Sequence, residues 1–543
     1  MPKVKKPLSE CNKKTQEECI KLDTCFYTNG KTRKFCRKKK NTRSVNQVNR
    51  ENNIQKTQKK SKVPIKKQRV KNKEAREAKE AKEAKKAKEA KEAEAKAKEA
   101  EAKEAKEAKE AKAKGVIQRF MNKTKHRRKA TFLKAVCLDS GVCLAFGTYA
   151  NEIKKHFGGF ANFEYATAPI KRIGNPSSNG FINEIQYDHS GYKAYAVLKS
   201  SMNPDSDNLM YEYIVGQYVN KLNKRFPCFV ETYGYYIYND EIKVNNKKVW
   251  NFLKDTTITA NMDTIKKGLI LQKTTDYAKA CKQSKFLAIL IQHLKGIIPI
   301  KDRMRSPSFV KYELANVLFQ IYMPLSILVN SFTHYDLHHE NVNLYEPEKD
   351  SYIHFHYHIN QKTVFSFKSK YIAKIIDYGR SYFKDDETGI DSKQIYTDVC
   401  KEPNCKPKCG YSKGFLWMAE QSPPSSSYWI SSQKRNKSHD VRLLNEVKND
   451  TKDNQTDQYL SLPLKEVLQK LKYDTYYGTP EMTAGYPNSI QTVNDAVMII
   501  GDIISLPEQI QQNETEYRGK KKLGDLHIYC GKDDTRPMQF IKA

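Results

Sequence analysis

The octet His334-Tyr335-Asp336-Leu337-His338-His339-Glu340-Asn341 is answered thirty-six residues after Asn341 by Asp377-Tyr378-Gly379. An Asp and an Asn five positions apart on one polar loop can divide two tasks. Asp336 can accept a hydroxyl proton, and Asn341 can offer an amide oxygen to a metal ion. Asp377 follows the apolar pair Ile375-Ile376 and precedes an aromatic residue and a glycine. Its carboxylate can bridge the same ion to phosphate oxygens. These donors are the minimum equipment of phosphoryl transfer, in which a protein supplies position and charge rather than a covalent bond.

Such groups need elements to carry them. The apolar run Leu314 to Phe332 leads straight into the octet and contains Asn316, Gln320 and Pro324. That reads as a buried helix rather than a membrane span. Spacing near 3.6 predicts helices over both Phe286–Leu294 and Tyr312–Phe332. Upstream, Ile173 to Ile182 forms a turn between two strand-like segments, and Tyr195-Ala196-Val197-Leu198-Lys199 is a strand ending on a lysine. A helical pattern follows Pro204 and Asp207 and carries Glu212. Phe229 to Tyr238 reads as strands, Asn239 to Lys267 as an insertion, and Leu269 to Lys273 as the strand entering a hinge. Thr131 to Phe163 is apolar and Gly-punctuated, with a packing role. Beyond the octet, Tyr352 to Ile359 against Val364 to Tyr371 predicts a β-hairpin with His354, His356 and His358 on one face. Three such imidazoles could bind a transition metal or simply form an exposed polar face. His334 is expected to pack beneath the catalytic turn.

The set resembles the protein-kinase superfamily. The octet and Asp377-Tyr378-Gly379 are similar to the H-R-D-L-x-x-x-N and D-F-G pair of that family, and Tyr195–Lys199 to its V-A-I-K strand. The turn at 173–182 looks like a degraded Gly-rich loop in which only Gly180 falls on the pattern, with Asn175 and Ser177 at the first two glycine positions. The resemblance implies an α+β, bilobal protein-kinase-like fold with ATP and Mg2+ between the lobes. It makes Asp336 the catalytic base. Gly180, Lys199, Glu212, Asn341 and Asp377 become the nucleotide-site residues, with Asn341 and Asp377 as the metal ligands. Asp440, in Ser438-His439-Asp440-Val441-Arg442, resembles the helix-borne Asp that braces the catalytic loop. Two departures bear on function. Tyr335 stands where the family has Arg, which removes the usual partner of a phosphorylated activation loop. His338 stands where Ser/Thr kinases have Lys, and D-L-H-x-x-N resembles choline and aminoglycoside kinases. Three functions follow: a divergent Ser/Thr protein kinase first, then a pseudokinase or virion binding component, then a small-molecule kinase of the same fold. The composition and motif set also look like kinase-like proteins of giant DNA viruses, which implies a location inside an infected cell or virion.

Charge divides the chain further. Residues 1–130 carry 44 Lys and Arg against 17 Asp and Glu, so +27 of the formal +35 lies there and +8 in the remaining 413 residues. Six segments result: a basic Cys-rich module (1–45), a basic linker (46–72), a Lys/Glu/Ala tract (73–114), a basic linker and N-terminal extension (115–163), an N-lobe (164–275) and a C-lobe with insertions (276–543). Cys11, Cys19, Cys25 and Cys36 lack C-x-x-C spacing; disulfides, zinc and free thiols all remain open. The tract's three-residue period winds its alanines around a helix, which argues for a solvated helix and against a coiled coil. Cys400, Cys405 and Cys409 lie in a long polar segment read as an enlarged activation segment. The first residues are Lys-rich with no apolar core, so no secretory signal is expected. Partners implied are a protein substrate and, through the basic arm, non-specific polyanion or nucleic acid. Deleting residues 1–130 is expected to leave the body folded and to weaken polyanion binding with a smaller salt slope. Filter binding at two salt concentrations checks this, and unchanged affinity would remove the idea.

Overall fold

The strand-like runs upstream of residue 294 pair into one antiparallel sheet. The computed structural model describes residues 137, 143–174, 180–202, 204, 208–255, 259, 261–273, 285–399, 434–471, 490–531 and 533–543, and the strand pairs 25–29 with 34–38 and 415–417 with 428–430. The sheet comprises β1 (Ala166–Ile173), β2 (Gly180–His189), β3 (Tyr192–Ser201), β4 (Thr232–Tyr238), β5 (Leu269–Leu271) and β6 (Leu287–His293). Their order is β1-β2-β3-β6-β4-β5. One face is covered by Phe157, Phe160 and Phe163 of the N-terminal extension and by Val249, Trp250, Leu253 and Ile265 of the 239–267 insertion. The extension therefore has the packing role expected of it, and the insertion covers the same sheet.

The helix expected at Phe286–Leu294 is corrected to a strand, β6. The cause is burial on both faces. Ala288 and Leu290 join the core beneath the extension, while Leu287 and Ile289 join the other core. A strand covered twice has no polar alternation to betray its period. It also displaces the expected hinge strand. Leu269–Leu271 is an edge strand against β4, and β6 is the strand that leaves the sheet toward the following lobe.

Downstream the chain is organised by helix α5 (Leu314–Ile327), where α1 is Tyr149–His156, α2 Asn208–Leu222, α3 Val249–Asp255 and α4 Met262–Gly268. The helix predicted over 312–332 is shorter, ending at Ile327. Eleven of its fourteen residues are buried, as expected of a helix apolar all round. Its one deeply buried amide works for the sheet beside it. Gln320 Nε2 donates to Tyr371 O at 3.0 Å, and its Oε1 accepts from Ala373 N at 3.0 Å. That fixes the start of β10 (Ile372–Ile375), which pairs antiparallel with β7 (Val342–Tyr345). The predicted hairpin is present as β8 (Ser351–His358) and β9 (Val364–Ser369). The sheet extends through β11 (Lys521–Tyr529), parallel to β8, and β12 (Gln539–Lys542). Helices α6 (Arg442–Asp453) and α7 (Val493–Ile504) are among the other helices of this part.

The chain divides into two compact units, 1–115 and 116–543, and everything above belongs to the second. In the first, Cys25–Asn29 pairs antiparallel with Lys34–Lys38, with Cys36 opposite Tyr27. The Lys/Glu/Ala tract and Cys400, Cys405 and Cys409 lie outside the described residues. Cys137 and Cys143 form a disulfide that spacing had not suggested. No described helix is long and apolar enough to cross a membrane.

Glu313, at the start of α5, is buried; Ser369 Oγ donates to its Oε2 at 2.8 Å and Tyr517 OH donates to its Oε1. Burial pushes its carboxyl up to about 8 from an ordinary 4.5. A raised folded-state value stabilises the fold fully below pH 4.5 and loses that contribution as pH climbs toward 8. Melting temperature is therefore expected to fall between pH 5 and pH 9 in the wild type, and to fall less in Glu313→Gln. Parallel pH profiles for the two proteins would contradict the assignment.

Candidate functional site

Strand alternation sends Leu198 into the covered core and Lys199 to the opposite face of β3. Lys199 stands between Ile182 of β2 and Ile289 of β6 in register. Helix α2 crosses that face and carries Glu212. Its approach is close: a Cβ at Gly216 would lie 2.3 Å from Thr232 Oγ1. Asn220 then ties helix to strand, accepting from Thr232 N at 2.8 Å and donating to Thr232 O at 2.8 Å. With the helix so placed, Lys199 Nζ meets Glu212 Oε2 at 2.6 Å and Asp377 Oδ1 at 3.2 Å.

One ammonium thus faces two carboxylates. Burial opposes the charge on Lys199, yet Asp377 and Glu212 hold its pKa well above the usual lysine range. A single cation cannot neutralise both acids, and the more enclosed one carries the excess. Burial pushes Glu212 up to about 7 despite Lys199, with Asp377 adding to the rise. Asp377, whose side chain is 43% exposed, moves the other way: burial resists, but Lys199 draws its pKa below the ordinary value.

The pairing of β7 with β10 brings the other donors here. Val342 lies opposite Ile375, so the residues just outside that rung, Asn341 and Ile376, adjoin, and Ile376 N donates to Asn341 O at 3.0 Å. Asn341 Nδ2 donates to Asp336 O at 2.9 Å, which fixes the amide and turns its Oδ1 the other way. Amide and carboxylate oxygens are the donor set of a hard dication such as Mg2+, and the surplus negative charge around Lys199 suits one. Tyr335 and Asp377 both adopt left-handed backbone, with φ of 62° and 65°. Strain of this kind in non-glycine residues is held in place only by surrounding structure.

That structure is visible. Asp440 Oδ2 accepts from His334 N at 2.7 Å and its Oδ1 from Tyr335 N at 3.0 Å, so the expected brace is present. His334 packs beneath the turn, also as expected: it is buried, with Nε2 3.0 Å from Ile376 O, and its own carbonyl accepts from Ser381 Oγ at 3.2 Å. Tyr211 OH, from α2, donates to Ser381 O at 2.6 Å. Asp336, Asn341, Asp377, Lys199 and Glu212 are thereby joined by one run of contacts. Gly180 opens β2 opposite Ser201, and a Cβ there would lie 2.4 Å from Ser200 O, so close strand pairing itself favours a glycine. Residues 175–179 lie outside the described residues.

Of the groups around Asp336, sequence reading singled out His338 but missed the roles of Arg442 and Arg380 there. Arg442 Nη1 lies 3.3 Å from its Oδ1, His338 Nε2 3.8 Å from the same oxygen, and Arg380 Nε 3.8 Å from Oδ2. Arg442 Nε also donates to Glu446 Oε1 at 2.8 Å, Glu446 Oε2 accepts from His339 N at 2.9 Å, and Asp450 Oδ2 meets His339 Nδ1 at 2.5 Å. Arg442, Glu446 and Asp450 recur every four residues along one face of α6, a stripe that was readable but pointed to no partner.

No protein-family profile matches the chain, and no curated protein does. Among solved structures, the chain is similar to the crystal structure of a kinase domain at 13% identity and a TM-score of 0.23. The match covers 41% of this chain and 53% of that one, about half of its length.

Replacing Asp440 by Asn leaves one of two backbone N–H groups facing an amide NH2. Asp440→Asn is expected to cost about 1–3 kcal/mol in urea unfolding, the penalty of an unpaired buried donor. An unchanged midpoint would show that the loop is held by other means.

Proposed function

We propose that the chain is an ATP-dependent phosphotransferase, a divergent protein kinase that moves the γ-phosphoryl group of ATP to a Ser or Thr hydroxyl. The observation that carries this reading is the single ammonium of Lys199 held between Glu212 and Asp377, beside a loop that brings Asp336 and Asn341 to the same place. Bound Mg2+ would offset phosphate charge, with Asn341 and Asp377 as its protein ligands. Glu212 aims Lys199 at the α/β-phosphates. Asp336, oriented by Arg442, takes the proton of the acceptor hydroxyl as its oxygen bonds to the γ-phosphorus and the bond to ADP breaks.

His338 close to Asp336 favours a second reading, a kinase of small hydroxyl compounds on the same site. Transfer of labelled phosphate from Mg-ATP to generic protein substrates and to metabolite pools separates the two. Asp336→Asn is expected to cut transfer at least about 100-fold, the usual share of a general base, while ATP affinity changes little. Label in a small acceptor alone would favour the second reading. ATP binding with no transfer by the wild type would make this a non-catalytic nucleotide-binding or virion component.

A further inference from the structure

We propose that the outer face of the C-terminal sheet holds a binding site for a zinc-class divalent transition-metal ion, made by His354, His356 and Asp525. Along β8 the burial alternates, with Ile353, Phe355 and Tyr357 in the core and the three histidines on the other face. The parallel register with β11 sets Asp525 opposite His354 and His527 opposite His356. Asp525 Oδ1 lies 3.5 Å from His354 Nδ1 and 3.1 Å from His356 Nε2, and all three donor atoms fall within 4.8 Å of one another. Ligands 2.0–2.1 Å from a tetrahedral ion stand about 3.3–3.4 Å apart, so two of the three edges already have the right length.

Surrounding groups support ligation. His356 Nδ1 lies 2.9 Å from Ser366 Oγ, a hydrogen bond of the kind that fixes a metal-bound imidazole's tautomer. Lys522 Nζ holds the other carboxylate oxygen, Asp525 Oδ2, at 2.8 Å and leaves Oδ1 to the imidazoles. His358 Nε2 and His527 Nδ1 meet at 3.0 Å one rung along, within the same patch. Nitrogen donors beside one carboxylate suit zinc-class ions and disfavour Mg2+ and Ca2+. Three protein ligands leave a fourth position for water. None of these residues belongs to the group around Lys199. The ion would clip β11 to β8 across 169 residues of sequence.

The test uses the full chain stripped with EDTA and titrated with Zn2+ by calorimetry and with Co2+ by visible absorption. The wild type is expected to bind one equivalent more than the double variant His354→Gln, His356→Gln, and Asp525→Asn to weaken that equivalent roughly tenfold or more. Asp377→Asn should retain it, which separates this site from the phosphate-binding one. A measurement on the unaltered protein guards against variants that fail to fold: Zn2+ should slow diethylpyrocarbonate labelling of His354 and His356, read by peptide mass spectrometry. Equal stoichiometry in wild type and double variant, or labelling of both histidines unchanged by Zn2+, overturns the proposal.

Discussion

The ammonium of Lys199 is the constraint on which the site depends. Charge inside a folded protein is tolerable when it is paired at close range, and removing one member of such a pair leaves the other exposed to the full desolvation cost. Here the pair is a trio, contributed by a sheet strand, the helix that crosses it and the loop after β10. Each carrier comes from a different part of the chain. Their meeting at one nitrogen therefore fixes the distance between the sheet-rich lobe and the loop bearing Asp377. The unmatched negative charge that results is the feature a bound dication would relieve.

The loops around this point are held by polar groups that have no water to turn to. Asp440 takes two consecutive backbone N–H groups, while His334 reaches Ile376 O and receives Ser381 Oγ on its carbonyl. Networks of this sort strengthen in low dielectric and are costly when incomplete. They explain how two non-glycine residues, Tyr335 and Asp377, persist in left-handed conformations within the candidate site. Tyr335 is itself drawn into the bracing: it is buried and donates its hydroxyl to Lys434 O at 2.7 Å. Tyr335 thus has a structural task, and Arg442 on α6 brings a cation to Asp336.

Two sheets do different work. The six-stranded one has apolar cores on both faces and gives Lys199 a stiff base. The sheet that includes β8 and β11 buries one face and turns the other, rich in imidazole, outward. Pairing β11 parallel to β8 completes that outer face and sets Asp525 and His527 beside the histidines of β8.

Much of the site was legible in linear order. Asp336, Asn341 and Asp377 stood out by residue type and spacing, whereas Lys199 and Glu212 were carried over from the resemblance to the kinase pattern. The hairpin of β8 and β9 followed from a period of two, because it buries one face, and the buried helix α5 from aliphatic spacing near 3.6. The identity of β6 was hidden for the converse reason: covered on both faces, it reads as an unbroken apolar run that fits either period. Gly180 fell on a motif position, yet its close approach to Ser200 is a matter of strand pairing that no motif records. Arg442 beside Asp336 and Asp525 beside His354 were beyond reach altogether. Local pattern sets the period and the faces of an element, whereas which distant faces meet is settled by how the whole chain closes on its cores.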